Sequence, residues 1–157
     1  MQSMKYRSTL AATALGLGMA LAALPASAQF RNADAAIKYR QSAMSLQGNH
    51  MARVFAMANG QVPFDAKVAA EQIDIVAALN RLQFAAFIDG SDKGNTRAKP
   101  EIWTEKDKFS AAIAKSQEDV GKLVAAGKAG NLDQIKAAAG AVGQSCKACH
   151  DAYQKPQ

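Results

Sequence analysis

The chain has 157 residues, 49% of them hydrophobic, with a formal charge of +6, which is room for one folded domain. Its Lys and Arg residues are scattered, so there is no basic stripe of the kind that grips nucleic acid. A mildly basic balance of this sort suits acidic partner surfaces.

The first segment reads as a targeting signal. Lys5 and Arg7 precede an apolar run from about Leu10 to Leu24, and Pro25-Ala26-Ser27-Ala28 follows. A charged start, an apolar middle and a small-residue end make a secretory signal peptide, here with cleavage after Ala28. The run is short for a membrane anchor, which needs about 20 apolar residues. The expected organisation is therefore a signal peptide at 1–28 and one domain at 29–157. That domain keeps 17 Lys and Arg against 13 Asp and Glu, because only Lys5 and Arg7 are lost. Such a product is expected in the periplasm, and no later stretch is apolar enough to hold it in a membrane.

Four helical segments follow, and strand signals are few. In the first, from about Asn32 to Ala58, Ile37, Gln41, Met44, Gly48, Met51, Phe55 and Ala58 recur at steps of four and three. That spacing puts them on one stripe of a helix. Asn59-Gly60 and Pro63 end it. The second starts at an Asp65 N-cap and runs to about Asp89-Gly90. Ala69, Ile73, Val76, Leu79, Gln83 and Phe87 lie on one face of it. A polar loop from Gly90 to Pro100 comes next. The third starts near Thr104, with Asp107 placed for a capping box, and Phe109, Ile113, Val120 and Val124 as its apolar face. After a turn at Gly127 to Asn131, the fourth carries Ile135, Ala139, Val142, Cys146, Cys149 and Tyr153 in register. Gly140 and Gly143 weaken it by roughly 1 kcal/mol each relative to Ala, and would let a flat ring approach its backbone. Four amphipathic helices with mostly short turns predict an all-α, antiparallel up-down four-helix bundle.

The chemistry lies in Cys146-Lys147-Ala148-Cys149-His150, a C-x-x-C-H run that is the c-type haem attachment signature. Thiols at i and i+3 share one helix face about a turn apart, so each can add to one of two haem vinyl groups. His150 follows directly and can reach the iron of the same ring. A thioredoxin-like C-x-x-C would need a preceding strand. Zinc would need four ligands, which Cys146, Cys149, His150 and His50 could supply only together. A plain disulfide would leave His150 and the export signal as coincidences. One covalently bound haem c is the expected cofactor. No Met follows the motif, so any second iron ligand must come from an earlier helix.

With these residues the chain resembles cytochrome c′, a known instance of the up-down four-helix bundle. The likeness spans nearly all of residues 29–157. It is carried by Lys38-Tyr39-Arg40-Gln41-Ser42-Ala43, Lys99-Pro100-Glu101-Ile102-Trp103 and Cys146 to Tyr153. The resemblance implies haem between the helices and a five-coordinate, high-spin iron with His150 as its axial ligand. It also implies Arg40 and Gln41 against the haem edge and propionates, and Thr96 as a haem contact from the loop. Nitric oxide and carbon monoxide are the implied ligands, a redox partner protein the implied electron donor or acceptor, and a homodimer through the first two helices the implied assembly. Met44 falls where the family faces the vacant side of the iron. It either covers that side as a bulky apolar residue or ligates the iron through its thioether. The second case would make a low-spin electron carrier. Gln154 departs from the family, where a basic residue is common. His50 reads as a surface or interface histidine, and Trp103 and Phe84 as packing residues. An enzyme such as a peroxidase would need acid-base groups on the vacant side, and the stripe around Met44 offers none.

Overall fold

A computed structural model describes residues 29–156; the segment expected to be a signal peptide, 1–28, lies outside them. The chain forms α1 (Ala33–Ala58), α2 (Ala66–Leu82), a 3-10 turn (Gln83–Ala86), a single-turn α3 (Glu101–Thr104), α4 (Lys106–Ala129) and α5 (Leu132–Tyr153). The four long helices make the all-α bundle expected from the sequence. α1 packs on α2, α2 on α4, α4 on α5, and α5 closes the ring on α1.

Three helix starts follow from single side chains. Asn32 accepts a hydrogen bond from the Ala35 amide at 2.9 Å. Asp65 accepts from Lys67 and Val68 at 2.9 and 3.0 Å, and Asn131 from Gln134 at 3.0 Å. Each cap contributes about 1 kcal/mol by satisfying an otherwise orphaned amide. Gly130, with φ 64°, ends α4 in the left-handed conformation that a side chain would resist.

The dry core fills one half of the bundle. Met51, Val54 and Met57 of α1 meet Ala69, Ile73 and Val76 of α2, Val120, Leu123 and Ala126 of α4, and Ile135, Ala139 and Val142 of α5. Full burial of a side chain such as Leu123 is worth roughly 1.5–3 kcal/mol. These residues lie towards the α1–α2 and α4–α5 turns. The other half of the bundle, where α1 begins and α5 ends, is left for the site.

Two sequence expectations are corrected. The second helix was expected to reach Asp89-Gly90, but its α-helical part stops at Leu82 and tightens into the 3-10 turn. The reason is long-range. The Ala86 carbonyl, which a continued helix would use internally, accepts instead from Arg40 Nη1 at 3.1 Å. The Thr104–Asp107 capping box does not form. Pro100 opens α3, so Thr104 is already the last residue of a helical turn, its hydroxyl on the Pro100 carbonyl at 3.5 Å. The chain breaks at Glu105 (φ −114°, ψ 50°) before α4.

Candidate haem site

The open half of the bundle is a slot between α1 and α5. It consists of two cavities of about 270 Å³ each, which share Met44, Phe84, Cys149 and His150 and so run together. One is flanked by Met44, Met51 and Phe55 of α1 and by Val142, Gly143 and Cys146 of α5. The other reaches Arg40, Gln41 and Thr96 on one side and Tyr153 and Gln154 on the other. Every haem-site residue expected from the sequence, namely Arg40, Gln41, Met44, Thr96, Cys146, Cys149 and His150, therefore lines one continuous space.

This slot explains why the α1 stripe is only partly buried. Ile37, Met51 and Ala58 are in the core, whereas Met44 and Phe55 are half-buried and Gln41 and Gly48 exposed. The middle of the stripe faces the slot, and the buried positions between are Arg40, Ala43, Gln47 and Val54. On α5, Gly143 lines the slot, and a Cβ there would meet Phe55 Cζ at 3.2 Å. Gly140 is exposed, with nothing near an added Cβ, so of the two glycines only Gly143 opens the wall.

The motif helix is held by the loop after the 3-10 turn. The Lys99 amide donates to the Tyr153 carbonyl at 2.9 Å, and the Lys155 amide to the Arg97 carbonyl at 2.8 Å. Lys99 Nζ caps the Asp151 and Ala152 carbonyls at 2.9 and 3.0 Å. Arg97 donates from Nε and Nη2 to the Lys155 carbonyl at 2.9 and 2.6 Å. The three bonds from Lys99 satisfy carbonyls that the helix end would leave orphaned, and those between Arg97 and Lys155 tie the chain beyond it to the loop.

Arg40 holds the same loop from the α1 side. It is 2% exposed. Its terminal nitrogens donate to Ala86 O, to Ser91 Oγ and O, and to Thr96 Oγ1 at 2.7 to 3.1 Å. Its guanidinium carbon lies 4.6 Å from the Phe87 ring centroid, a cation–π contact. Burial pushes its pKa down to about 10, so it stays charged at neutral pH. Gln41 Nε2 donates to the Asn95 carbonyl at 2.9 Å. Beneath the loop, Phe87 and Tyr153 each meet Phe109 edge-on at 5.1 Å, and Trp103 Nε1 donates to Ile88 O at 3.1 Å.

Both thiols are unpaired. Burial raises the pKa of Cys146, with nearby Asp119 adding to the effect, and burial followed by Cys146 raises that of Cys149. The zinc arrangement fails on geometry. His50 Nδ1 sits 2.8 Å from Gln72 Oε1 between α1 and α2, and no three His, Cys, Asp or Glu gather among the described residues. The thioredoxin arrangement fails too, since α4 and a two-residue turn precede the motif helix. Lys147 is exposed and pairs with Asp151 at 2.5 Å.

Sequence reasoning missed Gln47, Arg97 and Ser116, all of which line the slot. Gln47 stands one helical turn after Met44, which was a usable signal. Arg97 sits in a loop and Ser116 on a mixed helix face, where no local pattern marks them.

An all-helical bundle whose C-x-x-C-H helix opens on an apolar slot defines a c-type haem protein of the bundle class. The family model described as Cytochrome C' matches residues 35–154. The cytochrome c′ of Rubrivivax gelatinosus is 52% identical over 128 residues, covering 81% of this chain and 99% of that one. Its crystal structure superposes with a TM-score of 0.79 over 81% of this chain and all of that one. Two structures of Alcaligenes xylosoxidans cytochrome c′ variants also match. One, ferrous with bound nitric oxide, is 41% identical with a TM-score of 0.78, over 82% and 99% of the two chains. The other, with bound carbon monoxide, is 42% identical with a TM-score of 0.77, over 81% and 99%. The chain belongs to the cytochrome c′ family, and its cofactor is one covalently bound haem c. The site fits that group: the slot is largely apolar, two thiols one turn apart open on to it, and the following imidazole lines it.

Proposed function

We propose that this protein is an exported, periplasmic mono-haem cytochrome that binds small neutral gases, nitric oxide or carbon monoxide, and transfers electrons. In this reading Cys146 and Cys149 hold the haem as thioethers and His150 is the only protein ligand to a five-coordinate, high-spin iron. The observation that carries it is the slot itself. His150 stands on the α5 wall, and the facing α1 wall presents Met44, Gly48 and Met51 rather than a nitrogen ligand. The bound haem supplies the redox-active iron and its open coordination position. Met44 screens that position by bulk and excludes water. Arg40 and Gln41 order the outer end of the slot by holding Ser91, Asn95 and Thr96 of the loop, with the fork of Arg40 spent on those bonds. The relatives with bound nitric oxide and carbon monoxide support the choice of gases.

We read the protein as a carrier and not a catalyst. Apart from His150, the joined slot is lined by no His, Asp or Glu, whereas peroxide chemistry needs a placed acid or base. The export signal supports a periplasmic location and a domain of 29–157. No described helix is long and apolar enough to cross a membrane. Val68, Ile75 and Leu82 lie exposed at seven-residue steps on α2, with Leu46 exposed on α1. Such a face suits a homodimer through these helices.

A second reading has its own support. Met44 lines both cavities along with His150, as an axial thioether would. Optical and EPR spectra, ferric and then ferrous, before and after carbon monoxide, decide between the two. A high-spin spectrum that changes with the gas supports the open site. A low-spin spectrum indifferent to the gas, with a methionine-to-iron charge-transfer band, makes Met44 a ligand and the protein a plain electron carrier.

A further inference from the structure

The slot is not uniformly apolar. Gln47 of α1 and Gln83 of the 3-10 turn both line the cavity on to which Cys146, Cys149 and His150 open. Each is 5% exposed, and each has its Oε1 buried without a hydrogen-bond partner among the described residues. Ser116 of α4 lines the same cavity. Its hydroxyl oxygen accepts from the Nδ2 of buried Asn80 at 3.0 Å, which leaves its proton to donate. Three polar side chains from three elements thus line one cavity together with Met44, Met51, Phe55, Phe84 and Val142.

Packing alone does not call for them. A buried carboxamide oxygen without a donor costs its full desolvation, and Leu or Met of similar volume would fill the same space without that cost. A small hydrogen-bonding occupant removes the penalty. A carboxamide offers both an acceptor oxygen and N–H donors, so it can hold a water or donate a hydrogen bond to a ligand atom that carries negative charge. Gln47 lies on the α1 wall one turn beyond Met44, lining the same cavity as His150 of α5.

We propose that Gln47, Gln83 and Ser116 form a hydrogen-bonding subsite of the haem cavity that donates, directly or through one water, to the far atom of a ligand on the iron. The proposal rests on the open-site reading above and extends it to selectivity. A ligand with a polar far atom is held more tightly, and carbon monoxide, a weak acceptor, gains less.

The test is the C–O stretch of the ferrous carbon monoxide adduct, measured in H2O and D2O for the native holoprotein, Gln47→Leu and Gln83→Leu, together with nitric oxide dissociation. The expected result is a solvent-isotope shift in the native protein. At least one Leu variant then loses that shift and moves the stretch to higher frequency. Nitric oxide leaves that variant roughly two- to tenfold faster, the size of one hydrogen bond. Identical stretches in all three proteins and both solvents would overturn the subsite and leave the open gas site standing. Failure of any carbon monoxide adduct to form would overturn both, so the two failures are distinguishable. Should Gln47→Leu not assemble, the isotope shift of the native protein still decides.

Discussion

Arg40 grips Ser91 at two points: Nη1 donates to its hydroxyl at 2.8 Å and Nη2 to its carbonyl at 2.7 Å. The Ser91 hydroxyl in turn donates to the Ile88 carbonyl at 2.7 Å. One side chain of α1 thereby sets the course of the loop that holds the end of the motif helix.

Arg40→Ala should cost about 2 kcal/mol or more, since bonds from a charged donor are worth roughly 1.5–3 kcal/mol and their acceptors would be left bare. Arg40→Lys should rescue little, because an ammonium cannot reproduce the planar fork. Denaturant unfolding of the holoprotein, with protease cleavage in the loop from Phe87 to Arg97, measures both. Unchanged stability in Arg40→Ala would refute this account of the loop.

Before haem is attached, the thiols should be sluggish nucleophiles. Both pKa values are raised from the ordinary thiol value of 9.0, chiefly by burial. An acid whose folded pKa is raised keeps its proton longer in the folded state, so this contribution to stability is present below pH 9 and lost as pH rises past the folded value. Alkylation of the haem-free chain at pH 8.5 should be slower than in urea, because the thiolate is the nucleophile. Equal rates would mean that the haem-free chain does not bury these thiols.

The double variant Cys146→Ala, Cys149→Ala should yield protein from which acidified solvent extracts all the haem. Haem that survives this extraction on the double variant would exclude thioether attachment at these positions.

Met44→Ala widens the wall that faces His150. Carbon monoxide should bind the ferrous form faster, as followed by flash photolysis or stopped flow. If Met44 is instead an axial ligand, the same change should turn a low-spin spectrum high-spin. Unchanged spectra with unchanged kinetics would remove Met44 from the iron's surroundings.

Gly140→Ala and Gly143→Ala should separate helix propensity from cavity shape. At exposed Gly140 an added methyl meets nothing within 4 Å, so helix stability should rise by about 0.5–1 kcal/mol. At Gly143 the methyl meets Phe55 Cζ at 3.2 Å and projects into the slot. That variant should gain less stability and shift the haem absorption bands. Identical spectra for the two would contradict the placement of Gly143 on the haem wall.

Much of the fold was legible because its signals are local. The caps at Asn32, Asp65 and Asn131 act within three residues, and the one at Asp65 was read directly from the sequence. The C-x-x-C-H run fits within little more than one turn, so helix geometry alone brings Cys146, Cys149 and His150 to one side. The α1 stripe was legible as well, although half of it faces the cofactor slot rather than the core. Sequence period marks what is apolar on a helix, and a haem is as apolar a neighbour as another helix.

By itself, then, the sequence determined four long helices, a covalent haem c and the helix face shared by Cys146, Cys149 and His150, all through relationships spanning a turn or less. Only the tertiary structure decided the early end of α2 at Leu82, the inward turn of Arg40 on to a loop 46 to 56 residues away, and the meeting of Gln47, Gln83 and Ser116 in one cavity. These features join side chains from different elements. Their positions depend on how the helices are packed, and no residue's near neighbours in sequence carry that information.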